Sequence, residues 1–166
     1  GLGDVYKRQR FPFDKFADAN QKLGTQMKAT GEVMSIGRTF EESLLKAIRS
    51  LETGVFHLYM EKFDEKTREE LLSYIKAGTD DRIFAVAQLL RLGCNVQQIA
   101  FETKIDGFFL EKMKKIIEME NMLKANPWNR DVLHEAKRGG FSDRAVAWLW
   151  NTDEDTVFRT VSYTHL

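Results

Sequence analysis

The sequence holds few of the residues that mark secreted, membrane-bound or nucleic-acid-binding proteins. Its 166 residues include one cysteine and two prolines, and 25 basic side chains balance 25 acidic ones. A single cysteine permits no internal disulfide, which favours a reducing, cytoplasmic setting. Zero net charge disfavours a dedicated nucleic-acid or membrane-surface binder, because such proteins usually carry excess positive charge. No apolar run approaches the ~18 residues of a membrane span.

Side chains that could carry chemistry are scattered along the chain. His57, His134 and His165 have no ligand spacing, which favours structural or surface roles over a metal site. Cys94 follows a glycine at a predicted helix end without a basic neighbour, which is typical of a small buried residue. No glycine-rich loop precedes a helix to hold phosphate. We therefore predict no catalytic, cofactor-binding or metal-binding residue in this chain.

Helical patterning dominates after residue 39. Before it, an apolar run at 31–37 lies between glycines and predicts a short strand. The predicted helix starts are Thr39, Asp80, Asn95, Asp106, Asn129, Ser142 and Thr152. Each predicted helix is too short to be stable alone, so their apolar faces must pack together. The predicted fold is mainly α, a compact multi-helix domain with a short β element at its start.

The predicted core follows the helical periodicity of these segments. The positions expected to face inward are Phe40, Leu44, Ile48, Leu51, Leu71, Leu72, Ile75, Ile83, Ala87, Leu90, Ile99, Phe109, Met113, Ile116, Ile117, Leu123, Val132, Leu133, Ala136, Ala145, Val146, Leu149 and Val157. The aromatic residues Phe108, Phe109, Trp128, Trp148 and Trp150 exceed what a small core needs. We expect some of them in the core and others in a contact surface.

A weak internal repeat appears when the sequence is shifted by 47 residues. Residues 93–95 then fall on 140–142, and both copies indicate a helix, a glycine turn and a capped short helix. The first copy also resembles a DNA-binding helix-turn-helix, which is an alternative function. Its second helix, predicted at 96–103, contains no lysine or arginine and carries Glu102, whereas a helix that reads DNA normally lies in a basic surface.

Three strings near the start carry a resemblance to a known family. They are residues 10–16 (RFPFDKF), 25–28 (TQMK) and 31–39 (GEVMSIGRT), followed by a helix rich in Glu, Ser and Leu. Together they resemble the segment that closes the first ATP-grasp unit of carbamoyl phosphate synthetase large subunits. Residues 80–83, 95–106 and 140–143 continue in the order of that family's oligomerization domain. The resemblance covers about residues 10–160.

The resemblance implies a catalytic parent and a non-catalytic fragment. The parent hydrolyses glutamine and uses ATP and Mg²⁺ to make carbamoyl phosphate from bicarbonate and ammonia, for arginine and pyrimidine synthesis. Its nucleotide and metal residues lie outside the matched strings, so the fragment should be inactive and hold no cofactor. The implied partners are the other domains of the large subunit, the small glutamine amidotransferase subunit and further copies, with no nucleic acid or membrane. Met34 is expected near the internal passage for carbamate.

The expected domain division follows from these assignments. Residues 1–9 and 161–166 do not continue the pattern of their neighbours, and we interpret them as non-native tails. Residues 10–53 are expected to be the C-terminal end of the carboxyphosphate ATP-grasp domain. Residues 54–160 are expected to form the helical oligomerization domain and to fold alone.

Overall fold

A computed structural model describes residues 39–51 and 54–163 of the chain. Within them lie eight α-helices and a 3-10 helix, Glu61–Phe63. The α-helices are α1 (Phe40–Leu51), α2 (Arg68–Lys76), α3 (Arg82–Arg91), α4 (Val96–Thr103), α5 (Gly107–Ala125), α6 (Arg130–Arg138), α7 (Asp143–Trp150) and α8 (Glu154–Tyr163). The mainly α prediction is confirmed. The strand expected at 31–37, Met34 and most of the 10–53 segment lie outside the described residues.

The longest helix, α5, is the centre of the packing. It contacts α1, α3, α4, α6 and α7, while α2 packs on α3 and α8 packs on α7. Its inward residues are buried as the helical period predicts, with Met113 and Leu123 fully enclosed. The same core includes Leu44, Leu45 and Ile48 of α1. One hydrophobic core therefore joins all eight helices of the described residues.

Most helices begin at the capping residues that the sequence indicates. The side chains of Asn95, Asn129 and Ser142 accept hydrogen bonds from backbone N–H groups in the first turns of α4, α6 and α7. Asp106 caps α5 in the same way. These contacts satisfy donors that the first helical turn leaves free.

Two predicted starts are displaced. Helix α3 begins at Arg82 rather than directly after Asp80, and its N-cap residue, Asp81, makes no side-chain capping hydrogen bond within the described residues. The Asp81 carboxylate instead accepts hydrogen bonds from Tyr74 and Thr79 and an ion pair from Lys62, so it is committed to other partners. Helix α8 begins at Glu154 rather than Thr152, because Asp153 accepts from the N–H of Thr156 and acts as the cap.

The internal repeat is present in the backbone. Gly93 and Gly140 both have positive φ angles, +84° and +96°, at the turns before α4 and α7. The residues after them, Cys94 and Phe141, donate N–H bonds back to the preceding helix at 2.9 and 3.0 Å. The second helix of each copy has eight residues and ends in a left-handed residue. The α3–α4 and α6–α7 units therefore share one turn geometry.

Candidate functional site

A histidine and a carboxylate are paired inside the core. His57 lies in the irregular segment 54–60 between α1 and the 3-10 helix, and Glu120 projects from α5. His57 Nε2 and Glu120 Oε2 are 2.8 Å apart, and both residues are fully buried. Because an ionised carboxylate can only accept hydrogen bonds, the Nε2 atom of His57 carries the ring proton and donates a hydrogen bond to Glu120. The other ring nitrogen, Nδ1, is buried without a hydrogen-bond partner among the described residues.

Arg91 completes this group, which we call the buried polar cluster (His57, Arg91, Glu120). It is the last residue of α3, and its Nε and Nη2 donate to the two carboxylate oxygens of Glu120 at 2.9 and 2.8 Å. Its Nη2 also donates to the carbonyl of Leu58. Such a two-point arginine–carboxylate contact fixes direction as well as distance. The cluster therefore ties the 54–60 segment to α3 and α5.

The electrostatics of the cluster favour an ionised Glu120 and a neutral His57 at neutral pH. Burial alone would raise the pKa of Glu120, but hydrogen bonds from Arg91 and His57 outweigh it and lower that pKa to about 2. Burial lowers the pKa of His57, and this outweighs the raising effect of Glu120. At neutral pH the cluster holds a cation, an anion and a neutral imidazole. A proton donor or acceptor needs access to substrate, which the full burial of His57 and Glu120 prevents.

An aromatic layer covers the cluster on its outer side. The Arg91 guanidinium lies 5.6 Å from the ring of Tyr59 and 5.7 Å from that of Trp148, and these two rings are 4.3 Å apart. His57 itself packs against Phe141, with ring centroids 4.9 Å apart. Exposed Arg144 lies 4.6 Å from the ring of Phe56 in the same layer. Cation–ring contacts of this kind stabilise arginine that has lost part of its water.

A cleft of about 460 Å³ lies between α1 and the α6–α7 turn. Four cationic side chains line it, but each is already engaged. Lys46 pairs with Glu42 at 3.0 Å, Lys137 pairs with Asp143 at 2.7 Å, and Arg49 donates to a backbone carbonyl. The fourth, Arg144, stacks on Phe56. This arrangement differs from a phosphate-binding pocket, where cations and backbone N–H groups point at the ligand.

The residues singled out from sequence occupy separate places. Cys94 is buried in the α3–α4 turn, with its Sγ 3.7 Å from Gln98 Oε1, as expected of a small core residue. His134 is half-buried on α6, far along the chain from His57, and His165 lies outside the described residues. Among the described residues, no group of three His, Cys, Asp or Glu side chains is placed to hold a metal ion.

The predicted aromatic residues divide between core and surface. Phe109 is buried, Trp148 and Trp150 are half-buried, and Phe108 and Trp128 are exposed. Trp128 and Trp150 stack with ring centroids 4.8 Å apart. The expectation that some of these residues belong to the core is confirmed, and the contact surface expected of the exposed ones stays a prediction.

Sequence reasoning missed Arg91 and Glu120. A signal for Glu120 was present, because it continues the inward face of α5 formed by Met113, Ile116 and Ile117. A carboxylate in phase with an apolar stripe predicts a buried partner of opposite charge. The partner Arg91 lies 29 residues away in the chain, and its identity depends on how α3 crosses α5.

The sequence matches the model of a known protein family. The family model of the carbamoyl-phosphate synthetase large chain, oligomerisation domain, matches residues 32–164. A match over this share of the chain shows the class: the protein belongs to the oligomerisation-domain family of the carbamoyl-phosphate synthetase large chain. The resemblance to the carbamoyl-phosphate synthetase large chain is thereby confirmed, and the assignment of residues 10–53 to an ATP-grasp domain stays a prediction. Within the described residues, no helix is both long and apolar enough to cross a membrane.

Proposed function

We propose that this chain is part of the large subunit of a glutamine-hydrolysing carbamoyl phosphate synthetase and that it serves there as a non-catalytic helical interaction domain. The family match over residues 32–164 carries this proposal. The parent is a ligase that consumes ATP, with Mg²⁺, to join bicarbonate and ammonia into carbamoyl phosphate. The strings at 10–16 and 25–28 support an ATP-grasp unit immediately upstream of the helices.

The chemistry of the buried side chains supports a structural role. His57 and Glu120, the groups best suited to move protons, are enclosed and bonded to each other. The cations that line the cleft between α1 and the α6–α7 turn already contact carboxylates, a backbone carbonyl and an aromatic ring. Phosphoryl transfer needs a phosphate cradle and carboxylates that hold a metal ion. The chain alone is therefore expected to bind neither ATP nor Mg²⁺.

Self-association is the interaction that the family description supports most directly. Several large apolar side chains point outward on different helices, including Phe101 on α4 at 72% exposed and Phe158 on α8 at 58%. Exposed aromatic residues are enriched where proteins meet. The proposed partners are further copies, the other domains of the large subunit and, in the parent, the small amidotransferase subunit. The proposed location is the cytoplasm.

The helix-turn-helix alternative has one structural observation in its favour, the shared turn geometry of the α3–α4 and α6–α7 units. The chemistry of α4 opposes it. The α4 carboxylate of Glu102 pairs with Lys76 at 3.4 Å, and exposed Phe101 projects from the same helix. Duplex DNA binding whose affinity falls steeply with salt would support this alternative.

Equilibrium dialysis of the full chain against ATP with Mg²⁺ tests the non-catalytic assignment. The proposal predicts no retained nucleotide at millimolar concentrations, in the range where ATP-using enzymes are usually saturated. Saturable, Mg²⁺-dependent retention of ATP would contradict it, because it would require a nucleotide site within these residues.

A further inference from the structure

Helix α1 packs as a member of the helical domain rather than as an appendage to it. Leu44, Leu45 and Ile48 are fully buried in the same core as α5. In the first turn of the same helix, Glu41 pairs with Lys112 of α5 at 3.4 Å. Removing this helix would expose the apolar surface it covers, and burial of such side chains is the main favourable term in folding.

A second contact joins α1 to the far end of the chain, and we call it the Gly140 contact (Glu42, Arg49, Gly140). Arg49 Nη1 donates a 2.8 Å hydrogen bond to the carbonyl of Gly140, 91 residues away. A Cβ added to Gly140 would lie 2.7 Å from Glu42 Cα and 3.1 Å from Glu42 O. Atoms of the α1 backbone therefore rest directly on the glycine, which only a residue without a side chain permits.

The internal repeat provides a comparison within the same molecule. Gly93 is the equivalent of Gly140 and has a similar φ angle, +84° against +96°. A Cβ added to Gly93 would meet no atom of the described residues within 4 Å. Both turns need glycine for their backbone conformation. Among the described residues, another helix packs into the space of the absent side chain at Gly140 but not at Gly93.

We propose that the Gly140 contact locks α1 to the α6–α7 turn, so that the helical domain begins at Thr39 and not after residue 53. The entry point of the preceding segment is then held at a fixed position relative to the second copy of the repeat. If the proposed function holds, α1 is the rigid connection through which the ATP-grasp unit of the parent is oriented on the helical domain.

Hydrogen exchange of the full chain tests this proposal, with Gly140→Ala and Gly93→Ala as a matched pair. Both substitutions place a side chain at a positive φ, but only Gly140→Ala also displaces α1. We expect α1 amides to exchange roughly tenfold faster in Gly140→Ala than in Gly93→Ala, as loss of a charge-assisted hydrogen bond and its packing predicts. Equal exchange of α1 in the two variants would overturn the proposal.

A milder variant keeps the test decisive if Gly140→Ala does not fold. Arg49→Met retains the apolar stem and removes the donor to Gly140. The proposal predicts faster exchange in α1 with unchanged exchange in α3. Unchanged exchange in α1 would contradict it. The measurement concerns packing within one chain, and all variants are compared at the same protein concentration.

Discussion

Arg91 and Glu120 face each other across the core through two parallel hydrogen bonds of 2.9 and 2.8 Å. The arginine ends α3 and the glutamate lies in α5, so the pair fixes the crossing of these two helices. His57 adds a third bond to the same carboxylate. Removing Glu120 would leave the Arg91 charge without its counter-ion and the His57 ring N–H without its acceptor, in a medium of low polarity.

Glu120→Gln should destabilise the protein strongly. The substitution keeps the volume but leaves the Arg91 charge unpaired, which should lower the free energy of unfolding by about 3 kcal/mol or more. Urea denaturation monitored by circular dichroism measures the change. Glu118→Gln is the control, because Glu118 is exposed on the same helix and should change stability by less than about 0.5 kcal/mol. Equal effects of the two substitutions would contradict a structural role for the cluster.

Acid should destabilise the fold in two stages. The folded pKa of His57 lies below its ordinary 6.5, so as the pH falls below 6.5 the unfolded chain takes up this proton and the folded chain does not. Stability is therefore complete above about pH 6.5 and decreases below it, by at most about 1.4 kcal/mol per pH unit for this group. Below 4.5, protonation of Glu120 in the unfolded chain adds a second loss, which continues towards its folded pKa of about 2.

His57→Gln isolates the first stage. The variant lacks the imidazole, so its free energy of unfolding should change less between about pH 6.5 and 5 than that of the wild type. Denaturation at several pH values gives both slopes. If the two slopes coincide, His57 does not remain neutral in the folded protein as the structure indicates.

Trp150→Phe should lower the free energy of unfolding by about 1 kcal/mol, because it removes one hydrogen bond. The indole N–H of Trp150 donates to the carbonyl of Leu123 at 2.8 Å, in the last turn of α5. Phenylalanine preserves most of the stacking on Trp128 but cannot donate the hydrogen bond to the Leu123 carbonyl. Trp128→Phe is the matched control, since Trp128 is exposed and should tolerate the change. Thermal unfolding distinguishes them, and a larger loss for Trp128→Phe would contradict this assignment.

Ser142→Ala should destabilise α7 by about 1 kcal/mol, because its hydroxyl accepts the N–H of Ala145 at 3.0 Å. Ser162→Ala, at an exposed position within α8, serves as the control and should be close to neutral. Chemical denaturation of both variants provides the comparison. A neutral Ser142→Ala would show that backbone packing, not the hydroxyl, starts this helix.

The helices and their caps were predictable because they depend on neighbouring residues. Asn95 and Ser142 each lie before an apolar stripe and bond N–H groups two or three residues onward. The start of α3 was not predictable in this way, because Asp81 bonds Lys62 and Tyr74 from other parts of the chain. The capping box of Thr67 and Glu70 was recognisable in the sequence but did not enter the prediction of α2.

The buried polar cluster could not be predicted from local sequence patterns. His57 lies in a segment without regular structure, so no helical period indicates which way its ring points. Its partner is 63 residues away, and the pairing exists only after α5 has packed against the 54–60 segment. The Gly140 contact could not be predicted locally either, because Arg49 and Gly140 are 91 residues apart and no helical period relates them.

Sedimentation velocity of the full chain over a wide concentration range tests the central claim most directly, namely that this is an oligomerisation domain. The account predicts a sedimentation coefficient that rises with concentration, from a monomer of 19.3 kDa towards a defined oligomer. A monomer that stays unchanged from micromolar to near-millimolar concentration would contradict self-association of this domain.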